Sequence, residues 1–122
     1  MKIERFEDIQ AWQKAGELVK VIYQSTDGGS FARDYSLRDQ IRRASVSVMS
    51  NIAEGFARQT DKEFVQFLHV ASGSVAEVQS QLYVAKDLGY ISDEEFGRIG
   101  GLAGETARLI TGFIKYLKGA NR

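Results

Sequence analysis

Not one proline interrupts the 122 residues of this sequence. Proline removes a backbone donor and clashes with the preceding helical turn, so a chain without it is free to form long unbroken helices. A small β-domain would instead announce its turns with proline and with Asn-Gly or Asp-Gly pairs. Asp27-Gly28 is the one such pair here, and it falls in a polar stretch, Asp27 to Asp34, that reads as the longest loop.

Hydrophobic period fills in the rest. Ile9, Trp12, Gly16, Val19 and Tyr23 recur at steps of three and four, with Ala15 and Ile22 beside them, which predicts a first helix over about residues 8–25. Glu7 and Asp8 at its start suit the positive end of a helix dipole. A second helix, about residues 35–58, places Ile41, Ser45, Val48, Ile52 and Phe56 on one side. Thr60 followed by Glu63 forms a capping box for a third helix over about 61–88, whose stripe runs Phe64, Phe67, Leu68, Ala71, Val75, Val78, Leu82, Ala85. Gly89 stands where a left-handed residue ends it. Ser92 and Glu95 repeat the box, Ile91 can staple to Phe96, and Phe96, Ile99, Ala103, Thr106, Ile110, Phe113 and Leu117 carry a fourth helix over about 93–118. The pattern predicts an all-α fold, an antiparallel up-down four-helix bundle, with residues 1–122 as one domain.

Composition narrows the chemistry. The formal net charge is zero and there is no cysteine. A strong global field toward nucleic acid or anionic lipid is therefore absent, and any such contact needs a local patch. Disulfides, thiolate nucleophiles and Cys-ligated zinc are excluded. No apolar run reaches the roughly 18 residues of a membrane span. The first residues lack a signal peptide's apolar core, so a cytoplasmic location and no membrane partner are expected.

Four-helix bundles often hold carboxylate-bridged iron, which needs Glu-x-x-His on two helices. This chain has one histidine, His69, preceded at that spacing by Gln66. No metal and no cofactor are expected, and His69 reads as a surface or interface residue. No G-x-S-x-G elbow or phosphate-binding glycine loop is present, so no catalytic residue is assigned.

Two helix faces call for more than solvent. On the second helix Arg43, Ser47, Asn51, Glu54 and Arg58 fall within roughly 80° of arc, opposite the apolar centre. Glu54 and Arg58 are spaced as an i, i+4 ion pair. Ser and Asn are mediocre helix formers on a free surface, and Val46, Met49 and Ala53 make the flank apolar too. On the fourth helix Gly97, Gly101 and Gly104 share a stripe opposite the core side, with Gly112 close by. Each costs about 1 kcal/mol against alanine in a helix. Close approach of another subunit would explain that stripe. Basic residues gather modestly between Arg33 and Arg58, with Arg42 and Arg43 as a doublet, and again at Lys115, Lys118 and Arg122.

Particular words follow one another in order along the chain. They are Trp12-Gln13-Lys14-Ala15, then Gln40-Ile41-Arg42-Arg43-Ala44, then Val46-Ser47 and Ser50-Asn51-Ile52-Ala53-Glu54-Gly55. Glu63-Phe64, Phe67-Leu68, Ala71, Gly73-Ser74, Glu77 and Leu88-Gly89-Tyr90-Ile91 follow. Over about Phe6 to Leu117 this resembles the four-helix-bundle family of proteins encoded in intervening sequences of bacterial 23S rRNA genes. The resemblance implies a bacterial cytoplasmic bundle that assembles as a homopentamer. The family is similar to the accessory variability determinant protein of diversity-generating retroelements, which binds a reverse transcriptase and nucleic acid. Met49 stands where the family usually has proline, which implies a straighter second helix, and Gly28-Gly29-Ser30-Phe31 replaces a usual Phe-Pro turn.

The combined expectation is a non-enzymatic, homo-oligomeric binding or scaffold protein. Its partners would be itself and nucleic acid or a nucleic-acid-processing protein. Arg42, Arg43 and Arg58, with Lys115 and Lys118 behind them, are the candidate partner contacts. Asn51, Glu54, Gly97, Gly101 and Gly104 are candidates for packing and assembly. The alternatives are a purely structural self-assembling protein, or a small-ligand or enzyme pocket built on Glu54 and Glu77.

Overall fold

The computed structural model describes residues 3–119. A 3₁₀ turn, Phe6–Asp8, leads into α1, Gln10–Ser25; a single helical turn α2, Gly29–Arg33, precedes α3, Tyr35–Phe56, then α4, Asp61–Asp87, and α5, Asp93–Gly119. No strand occurs among the described residues. The four long helices run up and down in chain order, with α1 packed on α3 and α5, and α4 packed on the same two. The fold is the expected helical bundle.

The caps behave as the sequence dictates. Thr60 accepts from the backbone N–H of Glu63 at 3.2 Å. At α5 the box is reciprocal: Glu95 N–H reaches Ser92 Oγ at 3.0 Å, and Ser92 N–H reaches Glu95 Oε1 at 3.3 Å. Gly89 has φ +75°. The N–H groups of Gly89 and Tyr90 reach back to Lys86 O and Ala85 O at 3.0 and 2.9 Å, satisfying carbonyls that the helix end leaves free.

The start of the chain differs from expectation. Helix α1 begins at Gln10, and Glu7 and Asp8 belong to the preceding 3₁₀ turn rather than to its first turn. Its buried residues are Ala11, Ala15, Leu18 and Ile22. The face is thus rotated from the one centred on Trp12, Val19 and Tyr23. Trp12 packs half-buried against Phe6 with ring centroids 5.2 Å apart, and Tyr23 is 41% exposed. Amphipathic aromatics fill the rim, where one edge stays wet.

The stretch expected as loop holds α2, because Phe31 is buried and stacks 5.3 Å from Tyr90. Asp34 closes the same corner. It accepts from Leu37 N–H at 3.1 Å as the N-cap of α3, and from Tyr90 Oη at 2.9 Å. The Asp34 carboxylate holds the Tyr90 phenol above its ordinary pKa, with burial adding to the shift. Helix α3 is helical through Met49. At the other end of the bundle Phe56, Phe64, Phe113 and Tyr116 form a chain of ring contacts from 5.3 to 6.2 Å that closes the core.

Candidate functional site

Two residues of the polar stripe of α3, Ser47 and Asn51, turn toward α4, while Arg43 and Glu54 stay exposed. Asn51 Nδ2 donates to Ser47 O at 2.9 Å and to Ser47 Oγ at 3.0 Å. Ser47 Oγ in turn shares a 3.0 Å hydrogen bond with Ser74 Oγ on α4, and Ser74 is buried. Asn51 therefore faces a neighbouring helix of its own chain. Gly55 belongs to the same seam. A Cβ there would sit 2.7 Å from Phe64 Cδ1 and 2.8 Å from Phe67 Cβ. Only a residue without a side chain lets α3 approach α4 this closely.

Two expectations on this helix are corrected. Helix α3 ends at Phe56, with Ala57 as its C-cap, so Arg58 lies beyond the helix. The i, i+4 geometry with Glu54 does not exist, and no ion pair joins the two among the described residues. The Arg58 guanidinium lies instead 4.6 Å over the Phe67 ring. Glu54 is exposed. Glu77 is exposed too and receives a long 3.4 Å bond from Gln81 Nε2. It lines a small cleft with Gln40, Arg43, Ala44 and Ser47, to which Glu54 does not contribute. The two carboxylates do not meet as a pocket pair. One turn from Glu77, Gln81 Oε1 is buried with no hydrogen-bond partner among the described residues.

The cations divide into two groups. Arg58 lies just past the end of α3, and Lys115 and Lys118 are exposed in the last turns of α5. These ends lie together because Phe64 spans from Phe56 to Phe113. Arg42 and Arg43 sit apart from them, where α3 faces α1. Arg42 Nε donates to Thr26 Oγ1 at 2.7 Å and its guanidinium lies 4.5 Å over the Tyr23 ring. Thr26 Oγ1 is itself oriented by donating to Ile22 O at 2.8 Å. No ion pair among the described residues involves Arg42 or Arg43. Both line a groove of about 590 Å³ with Tyr23, Asp39, Val46 and the serines Ser47 and Ser50. Arg122 lies outside the described residues.

A third surface was only partly legible. A Cβ on Gly97, Gly101 or Gly112 would meet nothing within 4 Å, and on Gly104 only Arg108 Nη1 at 3.5 Å. Nothing in the chain's own packing asks for glycine there. Beside this stripe, a groove of about 460 Å³ runs between α4 and α5, lined by Gln79, Leu82, Tyr83, Phe96, Gly97 and Gly100. Tyr83 in this groove is 59% exposed, and about 140° around α4 from it Val70 at 55% and the C-cap Leu88 at 56% expose a second apolar strip. The signal that would have found this face is charge: from Phe64 to Ala85 the one formally charged residue is Glu77. A solvated helix face normally carries charges throughout. His69 is exposed on this helix. Among the described residues no three His, Asp or Glu side chains cluster as a metal set, and no helix is long and apolar enough to cross a membrane.

Comparison with known proteins agrees with this architecture. The family model described as 23S rRNA-intervening sequence protein matches residues 7–112. A crystal structure of a protein of unknown function from the S23 ribosomal protein family of Bacteroides thetaiotaomicron is similar in fold. It has a TM-score of 0.78 and 23% identity, over 86% of this chain and 98% of that one. Among curated proteins nothing matches.

Proposed function

Because the chain belongs to the 23S rRNA-intervening sequence protein family, we propose that it works as a self-assembling helical scaffold that catalyses no reaction, with five copies in a ring. The observation that carries this reading is the outward side of α4 and α5: exposed Val70 and Leu88 on one flank of α4, and on α5 glycines that meet nothing in their own chain. Free glycine in a helix costs about 1 kcal/mol against alanine, and close helix approach is the physical use that offsets it. A ring with an odd number of copies needs a head-to-tail interface made of two different patches on each copy. The exposed apolar strip of Val70 and Leu88 and the flat glycine stripe on α5 supply two such patches. The pentamer number itself rests on the family resemblance.

The test is sedimentation velocity of the Gly101→Leu, Gly104→Leu double variant. Leucine is a better helix former than glycine, so the single chain stays folded while the flat stripe is filled. The assembly is expected to fall apart into smaller species. An assembly of unchanged size takes this stripe out of the interface.

A second reading concerns what the scaffold holds. Arg42 and Arg43 line one groove, and neither is in an ion pair among the described residues. That favours contact with phosphates of a nucleic acid, with Arg58, Lys115 and Lys118 as a separate cationic end. Binding of single-stranded RNA should weaken steeply as salt rises, because each neutralised phosphate releases counterions. Absence of binding at low salt would leave a nucleic-acid-processing protein as the partner.

A further inference from the structure

We propose that the groove between α1 and α3 is a discrete site for one nucleotide unit, a phosphate ester together with its base. This rests on the reading of Arg42 and Arg43 as phosphate contacts and goes further, by giving them a shaped site.

The argument starts from Arg42. Its Nε is committed to Thr26 Oγ1 at 2.7 Å, and its plane is held 4.5 Å over the Tyr23 ring. Thr26 is 1% exposed and cannot swing away. The guanidinium is therefore fixed in direction before any ligand arrives, with its two terminal amino groups left for an anion. A pre-oriented arginine fork loses less freedom on binding a phosphate than a free side chain does. Arg43 follows on the same groove, exposed, and supplies a second cation without a structural duty.

The remaining lining fits the rest of a nucleotide better than it fits a bare anion. Asp39 also lines the groove. Its Oδ1 is engaged by Arg38 Nε at 3.0 Å. Its other oxygen can accept from a sugar hydroxyl or a base amino group, donors that inorganic phosphate lacks. Tyr23 and Val46, 41% and 39% exposed, give a base an apolar wall. Arg42 covers one face of the Tyr23 ring, so the base packs against the exposed remainder of Tyr23 and Val46, an apolar contact that tolerates any base. The groove volume of about 590 Å³ lies within the roughly 300–1,000 Å³ usual for small-molecule sites.

The experiment is an NMR titration of the full chain with adenosine monophosphate, uridine monophosphate, inorganic phosphate and a short single-stranded RNA. Both mononucleotides should shift the amides of Tyr23 and of Arg42 through Ser50 in a saturable way, and more tightly than inorganic phosphate. Arg43→Gln should weaken them about tenfold, as expected for loss of a charge-assisted hydrogen bond. Tyr23→Leu should weaken them less. Arg43 makes no hydrogen bond or ion pair within the described chain, so its replacement leaves the fold intact, which the unperturbed remainder of the spectrum verifies. Mononucleotides that cause no saturable shift overturn the proposal. So does binding indifferent to Arg43→Gln, or inorganic phosphate binding as tightly as the nucleotides. RNA binding without mononucleotide binding sinks the discrete site and leaves the polymer reading standing. Loss of both sinks both.

Discussion

Gly55 and Gly101 sit on helices of the same bundle in opposite surroundings. Around Gly55 the chain has closed in: an added Cβ would collide with Phe64 and Phe67 below 3 Å. Around Gly101 an added Cβ would meet nothing within 4 Å. The first glycine is explained by the fold of one chain. The second is not, and the same holds for Gly97 and Gly112. The contrast separates residues that build the bundle from residues whose reason lies outside it, and the proposed scaffold puts a partner copy there.

The sharpest way to break that contrast is to add one methyl group at each place. Gly55→Ala gains up to about 1 kcal/mol of helix propensity. It overpacks a rigid aromatic contact, which typically costs about 1–3 kcal/mol. A net loss of stability is expected in urea denaturation, and a net gain would mean the seam yields easily. Gly101→Ala has the same propensity gain and no clash within the chain. At a free surface it raises stability by about 1 kcal/mol. In a tight subunit contact it lowers the thermal midpoint of the assembly, and that fall is what the scaffold reading requires.

Two smaller effects sharpen the description of the closed side. Ser74→Ala leaves Ser47 Oγ without its partner across the helices. A loss of about 1 kcal/mol is expected, and no loss would mean that water replaces the contact. The Tyr90–Asp34 bond predicts a pH dependence. The phenol's folded-state pKa lies above the ordinary 10.0. The stability it contributes is therefore present below pH 10 and lost as pH rises through the raised value. Alkaline denaturation of Tyr90→Phe should lack that component. An identical alkaline profile in the two proteins would rule the bond out as a source of stability.

What the sequence reveals follows the range of the interactions. The caps at Thr60 and Ser92 and the glycine stop at Gly89 are local, five residues or fewer across, and each forms as its residue types require. The core stripes of α3, α4 and α5 are periodic and were readable for the same reason. The face of α1 was misplaced because Trp12, Val19 and Tyr23 look as apolar as Leu18, yet they occupy the rim. The Glu54–Arg58 pair does not form because α3 stops at Phe56 and the Arg58 guanidinium lies over Phe67, a residue of another helix. Ser74 as the partner of Ser47 was out of reach, since 27 residues separate them. The stripe of glycines on α5 was visible in the sequence. The charge-poor outer side of α4 beside it takes its meaning only once the helices are placed together.

The mass of the unmodified protein in solution, by sedimentation equilibrium over a range of concentrations, tests the central claim most directly. The account predicts a mass five times that of the chain, reduced in the Gly101→Leu, Gly104→Leu variant without loss of helix. A single-chain mass at every concentration would contradict it, and would leave the glycines of α5 without a physical reason.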